Sequence, residues 1–273
     1  MPSIPNQYTQ YNLFDTILQA LAQTGIAQQQ VTRSQLAAVD EFHVRGLEVS
    51  REMAAMADLH AGGQVLDVGC GLGGATRLLA DEFGCAVTGI DITPEYIHTA
   101  QQLSALVGLA SKTHFVCGNA LSLPFTENSF DVVWTQHVQM NIADKQTLYA
   151  EINRVLKETG HFVYYDIVKK NKEPIHYPVP WANEPALNHL IPSPQLHQLL
   201  VQTGLRPVQI KDETEKGITF LQHVIKGWQQ KGMSPLGLHL LMGDSALQKL
   251  QNLYNNLVEA RVMLECGLYS KPN

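Results

Sequence analysis

The chain has 273 residues, of which 45% are hydrophobic, enough for the core of one large α/β domain with additions. Lysine and arginine total 19 against 25 aspartate and glutamate, which gives a formal net charge of −6. This acidic balance lacks the basic surface that binds a phosphate backbone, so we do not expect a nucleic-acid partner.

The sequence shows no sign of a membrane or secreted protein. No apolar run approaches the roughly 18 residues of a membrane span, and the first residues, MPSIPNQYTQYN, lack the basic and apolar stretches of a secretory signal. The four cysteines form no CxxC pair and no zinc spacing, which is typical of a reduced interior. We therefore expect a cytoplasmic protein with no membrane span and no metal.

Residues 1–60 are predicted to be helical. Leu13, Ile17 and Leu21 recur at four-residue intervals, and a second amphipathic helix is predicted over residues 41–59. Because both helices precede the first predicted strand, we expect residues 1–60 to form a lid over the functional site.

From Gln64 onward, predicted strands alternate with predicted helices. The strands are QVLDVG, AVTGID, HFVCGN, SFDVVWTQH and HFVYYDIV, and the helices include TRLLADEF, PEYIHTAQQLSALVGL and KQTLYAEINRVLK, which ends near Gly160. This alternation is typical of an α/β fold in which helices cover both faces of a parallel sheet. Residues 61–273 are predicted to form this domain.

Beyond the fifth strand the pattern becomes less regular. Residues 169–195 are rich in proline and are predicted to be an irregular insertion. The remaining predicted elements are a helix over 195–203, the strand LRPVQIKDE, helices over 217–231 and 244–264, and a last edge strand at GLYSKP. We expect residues 169–195 and 215–245 to cap a substrate pocket.

The most informative segment is VLDVGCGLGGATRLLA, residues 65–80, in which Gly69, Gly71 and Gly73 lie between a strand and a helix. Glycines at such a junction let the backbone turn tightly and let a ligand approach where a Cβ would collide. Asp91 ends the next strand, where its carboxylate can accept both hydroxyls of a ribose. The segment therefore predicts a nucleoside-containing cofactor.

Two cofactor classes fit this loop. Gly69, Gly71 and Gly74 also satisfy the G-x-G-x-x-G spacing of dinucleotide-binding domains. Asp67, however, would repel a pyrophosphate, whereas it suits the ammonium group of a methionine moiety. Asn119 after the third strand is placed to bind an adenine edge. These features favour a methionine-containing nucleoside over NAD.

These segments also carry a family resemblance. VLDVGCGLGG, Asp91, GNALSLPF, SFDVVWTQHV and HFVYYDIV, over residues 35–168, resemble the class I S-adenosylmethionine-dependent methyltransferases. Within them the chain is most similar to the ubiquinone/menaquinone-biosynthesis type and to proteins like sarcosine/dimethylglycine N-methyltransferase. The resemblance implies a Rossmann-like sheet of about seven strands, the last one antiparallel. It also implies methyl transfer from S-adenosylmethionine to an amine, a hydroxyl or an activated carbon of a small molecule.

The resemblance further implies roles for residues at the strand ends. The three glycines would line the methionine part of the cofactor, and Asp91 would hold the ribose. Ile92 would lie against the adenine, Asn119 and Ala120 would flank it, and Gln136 would face the methionine side.

Four residues are candidates for the acceptor side. His137 follows the fourth strand, and the ordinary histidine pKa near 6.5 suits a general base at neutral pH. Asp166 ends the fifth strand and could orient an amine or cap a turn. His43 is predicted to reach over the cofactor from the lid, and Asn141 stands where the family often has a histidine, so both are predicted to contact the acceptor. A neutral amine acceptor would need no base.

Two other functions remain open from the sequence. The same loop could serve an NAD-dependent oxidoreductase, or the chain could bind S-adenosylmethionine without transferring its methyl group. Binding of S-adenosylhomocysteine rather than NADH would exclude the first. The sequence also leaves open a homodimer.

Overall fold

A computed structural model describes residues 12–272 and contains a seven-stranded sheet. The strands are β1 (Gln64–Val68), β2 (Ala86–Asp91), β3 (Thr113–Cys117), β4 (Phe130–Gln136), β5 (Leu156–Lys169), β6 (Arg206–Asp212) and β7 (Val262–Ser270). Their order is β3-β2-β1-β4-β5-β7-β6, and all pairings are parallel except the two made by β7. The predicted Rossmann-like fold with an antiparallel last strand is confirmed.

Helices pack on both faces of this sheet. They are α1 (Leu13–Gln23), α2 (Arg33–Asp40), α3 (Leu47–Met56), α4 (Gly74–Glu82), α5 (Pro94–Leu106), α6 (Lys145–Val155), α7 (Ser193–Gln202), α8 (Thr214–Lys231), α9 (His239–Met242) and α10 (Ala246–Val258). In β4, the fully buried Val133 and Trp134 point to opposite faces, so each joins a different hydrophobic cluster. No helix within residues 12–272 is long and apolar enough to cross a membrane.

The first helix belongs to a third hydrophobic cluster. Leu13, Ile17 and Leu21 of α1 are buried there together with Leu36 of α2 and Tyr96 of α5. The amphipathic helix predicted at these positions is therefore confirmed. The assignment of residues 1–60 as a lid stays a prediction, and its residues 1–11 lie outside the described residues.

The single helix predicted over residues 41–59 is wrong at its start. Helix α2 ends at Asp40 and α3 begins only at Leu47. Between them Arg45 and Gly46 have φ angles of 73° and 50°, values in the left-handed region that a right-handed helix cannot include. Phe42 in this turn packs against the core, so in the sequence it resembles the apolar start of a helix.

The predictions for the C-terminal part need two corrections. The helix predicted over 244–264 ends at Val258, and β7 then runs from Val262 to Ser270. Strand β7 lies between β5 and β6 and is not an edge strand. Because both faces of β7 are buried, its sequence lacks the alternation that marks a half-exposed strand. Similarly, the helix predicted to end near Gly160 ends at Val155, where β5 begins.

Candidate active site

A cavity of about 450 Å³ opens at the carboxyl ends of β1, β2 and β4, the edge where ligands bind in open α/β sheets. Most of the residues singled out from the sequence line it. They are His43, Asp67, Gly69, Gly71, Asp91, Ile92, Asn119, Ala120, Gln136, His137 and Asn141. Gly73 and Asp166 are not among its lining residues.

Each of the three glycines in the loop after β1 is needed for a different structural reason. A Cβ at Gly69 would lie 2.5 Å from the Val138 side chain, and one at Gly73 would lie 2.6 Å from the Phe115 ring. Gly71, at φ 53°, has no atom within 4 Å of its Cβ position and faces the cavity. The space beside Gly71 is therefore open to a ligand, whereas Gly73 is required for packing against β3.

Asp91 ties the glycine loop to the end of β2. Its Oδ2 accepts the Gly71 N–H at 3.0 Å, and its Oδ1 accepts the Thr93 N–H at 2.9 Å. A carboxylate has about four acceptor positions, so about two remain for a pair of ribose hydroxyls. Burial raises the pKa of Asp91 above its ordinary value.

Asp67 adds a second carboxylate to the same half of the cavity. It is buried, and its Oδ2 accepts the Thr76 hydroxyl hydrogen at 2.7 Å. Burial, together with the nearby charge of Asp91, raises the pKa of Asp67 to about 7. Because the described lining contains no lysine or arginine, these two carboxylates fit a cofactor that brings an ammonium and a sulfonium. They do not fit a pyrophosphate.

The adenine side is formed by the residues after β2 and β3. Ile92 is 39% exposed and presents an apolar surface next to Asp91. Asn119 Oδ1 accepts the Leu121 N–H at 2.9 Å, which fixes the turn that also carries Ala120. This apolar slot with a polar turn suits a planar purine.

Gln136, at the end of β4, is held by residues on both sides. Its Oε1 accepts the Trp134 indole N–H at 2.9 Å, and this bond fixes which end of the amide faces the cavity. Its Nε2 then lies 3.1 Å from His43 Nε2 and donates to Ser50 Oγ at 3.1 Å. Trp134 and Ser50 were not foreseen; the i, i+2 spacing of Trp134 and Gln136 along a strand was the available signal.

The same network continues into the turn before α3. Ser50 Oγ donates to Glu41 Oε2 at 3.2 Å and lies 3.2 Å from His43 Nε2. Burial and the nearby Asp40 raise the pKa of Glu41 to about 8, and burial lowers the pKa of His43 to about 4. At neutral pH the network is therefore uncharged.

His137 is placed in the cavity wall by an unusual backbone conformation. It has a φ of 53°, its N–H donates to the Tyr165 carbonyl at 2.8 Å, and its ring stacks on Tyr165 with centroids 5.3 Å apart. Its Nε2 is buried without a hydrogen-bond partner among the described residues. Burial, and secondarily the nearby His43, lower the pKa of His137 well below 6.5. The role of His137 as a general base stays a prediction.

The Asp166 side chain binds the backbone of the loop after β4 and is not among the lining residues of the cavity. It is buried, and its Oδ2 accepts the N–H groups of Val138 at 3.4 Å and Gln139 at 3.3 Å. Burial raises the pKa of Asp166 to about 7. Of the two predicted roles, the structure matches the turn cap.

The rest of the cavity wall comes from segments that carry no motif. It is mainly apolar and includes Phe42, Met140, Ile142, Pro180, Trp181, His189 and Leu241. Pro180, Trp181 and His189 belong to the predicted insertion over 169–195, whereas Leu241 lies within 215–245. The His189 N–H donates to the Met140 carbonyl at 2.9 Å, which joins the insertion to the loop after β4. Across residues 12–272, no three His, Cys, Asp or Glu side chains are grouped as a metal site needs.

Comparison with known proteins agrees with this geometry. Residues 66–164 match the model of the methyltransferase domain family. The O-methyltransferase cnsE of Penicillium expansum is 29% identical over 80% of this chain and 78% of its own length. The 2-methyl-6-phytyl-1,4-hydroquinone methyltransferase of Synechocystis is 35% identical over 49% of this chain, but the match spans only 40% of that relative.

A solved structure extends the comparison to the fold. The phosphoethanolamine N-methyltransferase 2 of Haemonchus contortus, in complex with phosphomonomethylethanolamine and S-adenosylhomocysteine, superposes with a TM-score of 0.75. The superposition covers 94% of this chain and 60% of that one, at 17% sequence identity. At this identity the likeness concerns the fold alone.

Proposed function

The chain belongs to the class I S-adenosylmethionine-dependent methyltransferases, and we propose that its cofactor lies beside Gly71 and Asp91 while its acceptor lies between His137 and Trp181. The similar relatives support transfer of a methyl group from S-adenosylmethionine to a small molecule as the activity of this chain. The observation that carries the assignment is the open space beside Gly71, whose N–H is bound to Asp91.

When bound, S-adenosylmethionine supplies a methyl group on a positively charged sulfur. Asp91 accepts the ribose hydroxyls, Asp67 faces the ammonium, and Ile92 packs on the adenine between Asn119 and Ala120. The backbone of the glycine loop leaves space for the methionine part of the cofactor. Gln136, at the end of β4, bounds this space on the opposite side. These roles account for the buried Asp67 and the half-buried Asp91, which face no basic side chain in the described lining.

On the acceptor side, the chain aligns the nucleophile with the methyl group and excludes water. Trp181 and Leu241 close the cavity from the segments 169–195 and 215–245, which act as its cap. His43 and Asn141 contact the acceptor from the turn before α3 and from the loop after β4. The lid predicted over residues 1–60 contributes Asp40, Phe42 and His43 to the cavity from its described part.

His137 serves the acceptor as a neutral imidazole. Because its pKa lies well below 6.5, it is uncharged throughout the neutral range and holds the nucleophile through a hydrogen bond. Asp166 supports this by fixing the backbone that follows His137. The cytoplasmic location, the absence of a nucleic-acid partner and a homodimer stay predictions.

The proposed function is tested by following S-adenosylhomocysteine release in the presence of amines, phenols and quinols. We expect at least one acceptor to give S-adenosylhomocysteine and methylated product in equal amounts. If the protein binds S-adenosylhomocysteine but releases none from S-adenosylmethionine with any acceptor, it is a binding protein that does not catalyse transfer. If it binds NADH instead, the cofactor assignment is wrong.

A further inference from the structure

We propose that the acceptor of this site is an uncharged, mainly apolar molecule whose hydroxyl group is bound by His137. This inference rests on the proposed function and adds the chemical class of the acceptor. It follows from the charges and the hydrogen-bonding groups that the cavity offers, taken one after another.

The cavity offers no cation to an acidic acceptor. No lysine or arginine is among its described lining residues. Lys145 follows the lining residue Asp144, but its ammonium donates to the carbonyls of Gln139, Ile142 and His189 at 2.9, 2.7 and 2.6 Å. An ammonium has three hydrogens, so all three are used within the protein. A buried phosphate or carboxylate would therefore remain unpaired, which is costly.

The histidines do not supply the missing positive charge. His43, His137 and His189 line the cavity, and burial lowers the pKa of each below the ordinary value. All three are therefore neutral at pH 7. The cavity carries no positive charge of its own under the conditions in which the enzyme would act.

The acceptor side also offers no buried, unpaired carboxylate to a protonated amine. The Asp40 carboxylate is buried and forms an ion pair with Arg77 at 2.6 Å. The Asp144 carboxylate accepts the N–H and the hydroxyl of Thr147, at 3.0 and 2.7 Å. The other two lining aspartates face the cofactor. Asp40 is thus already paired, and Asp144 is exposed to water, where its attraction to an ammonium group is screened.

His137 offers its imidazole to a neutral acceptor. It lines the cavity, and its ring makes no hydrogen bond with any described residue. A neutral imidazole nitrogen is either a donor or an acceptor, and a hydroxyl satisfies both cases because it can donate and accept. An ammonium can only donate and a phosphate dianion can only accept. The surrounding Met140, Ile142 and Trp181 favour an apolar body next to this hydroxyl.

Three probes that share one apolar body and differ in the head group test this proposal. They are 4-butylphenol, 4-butylphenyl phosphate and 4-butylbenzylamine, which at pH 7 are neutral, anionic and cationic. Their binding is measured by calorimetry on protein saturated with S-adenosylhomocysteine. We expect the phenol to bind at least about tenfold more tightly than either charged probe. Equal or tighter binding of a charged probe overturns the proposal, and so does binding of none of the three.

A charge placed in the lining gives a second, independent test. His189→Arg keeps the backbone hydrogen bonds of His189 and adds a cation to the cavity wall, so we expect it to shift the preference about tenfold or more towards the phosphate. His223→Arg, on the exposed face of α8, is the matched control and should leave the preference unchanged. An unchanged preference in His189→Arg contradicts the proposal. If the cofactor assignment itself is wrong, the wild type will not bind S-adenosylhomocysteine. That result is distinct from an unchanged preference between the probes.

Discussion

The two halves of the cavity are built in different ways. The cofactor half is formed largely by one stretch, from Asp67 to Thr93, in which backbone N–H groups and two aspartates surround open space. The acceptor half combines side chains from residues 40–43, 137–144, 180–189 and 241, which are far apart in the sequence. The first half depends on local backbone geometry, and the second depends on tertiary packing.

This difference teaches where changes should be most damaging. In the cofactor half a single Cβ in the wrong place removes the space for the ligand. In the acceptor half each polar group is tuned by burial, so substitutions should alter affinity, turnover or pH dependence by degrees. The predictions below separate these two behaviours.

The largest effect is expected for Gly71→Val. A β-branched side chain at Gly71 would occupy the space of the methionine part, so calorimetry should detect no binding of S-adenosylhomocysteine. Gly108→Val is the matched control, because Gly108 also has a positive φ and open space around its Cβ position but lies outside the cavity. It carries the same backbone strain and should retain binding. Loss of binding in both variants would assign the effect to strain alone.

A smaller effect is expected for His137→Gln on a confirmed acceptor. Glutamine keeps a hydrogen-bonding group of similar reach, so the loss of kcat should be about tenfold or less, as for one imperfect hydrogen bond. Since the pKa of His137 lies well below 6.5, the wild-type pH–rate profile should show no histidine-dependent break near pH 6.5. A break at that pH that disappears in the variant, with a loss of about 10²–10⁴-fold, would identify a general base instead.

The same contrast explains what could be predicted from the sequence. The glycine loop and Asp91 were found because their chemistry lies in a strand, a turn and the end of the next strand. Trp181 lies in the segment 169–195 that was predicted to cap the pocket. His189 of the same segment was missed, because an irregular insertion brings it to the cavity and no local pattern encodes that. Asp166 was predicted to end the fifth strand, but β5 continues to Lys169, and the Asp166 carboxylate faces the backbone of a neighbouring loop.

The turn before α3 shows a second limit of sequence reasoning. The apolar Phe42 made this turn look like the start of an amphipathic helix. Glu41 and His43 instead bind Ser50 of α3 and Gln136 of β4. Strand β7 was likewise taken partly for a helix, since burial of both faces removes its period-two signal. In both cases tertiary burial outweighed the local pattern.

Glu41→Gln should change the pH dependence of stability, measured as the free energy of unfolding between pH 6.5 and 8. The folded-state pKa of Glu41, about 8, lies above the ordinary value, so the folded state holds a proton that the unfolded state has lost. Wild-type stability should therefore fall as pH rises through this range, by at most about 1.4 kcal/mol per pH unit from this group. The variant should show a shallower slope.

Other groups do not reverse this expectation. Asp67 and Asp166 have raised pKa values of about 7 and act in the same direction in both proteins. The lowered pKa values of His43 and His137 act in the opposite direction near pH 6.5, where the unfolded histidine takes up a proton, but they act equally in both proteins. Glu158→Gln, at an exposed position, is the control. An unchanged slope in Glu41→Gln would mean that Glu41 is ionised in the folded protein.

The central claim, that Asp91 and the glycine loop hold the cofactor, is tested most directly by titrating S-adenosylhomocysteine into the wild type and Asp91→Ala. Loss of the carboxylate removes charge-assisted hydrogen bonds to the ribose and releases the Gly71 N–H. The account predicts weaker binding by about 1.5–3 kcal/mol, or about 10- to 150-fold. Asp81→Ala, which removes an exposed carboxylate outside the cavity, should bind as the wild type does. Equal affinity of Asp91→Ala and the wild type would contradict the account.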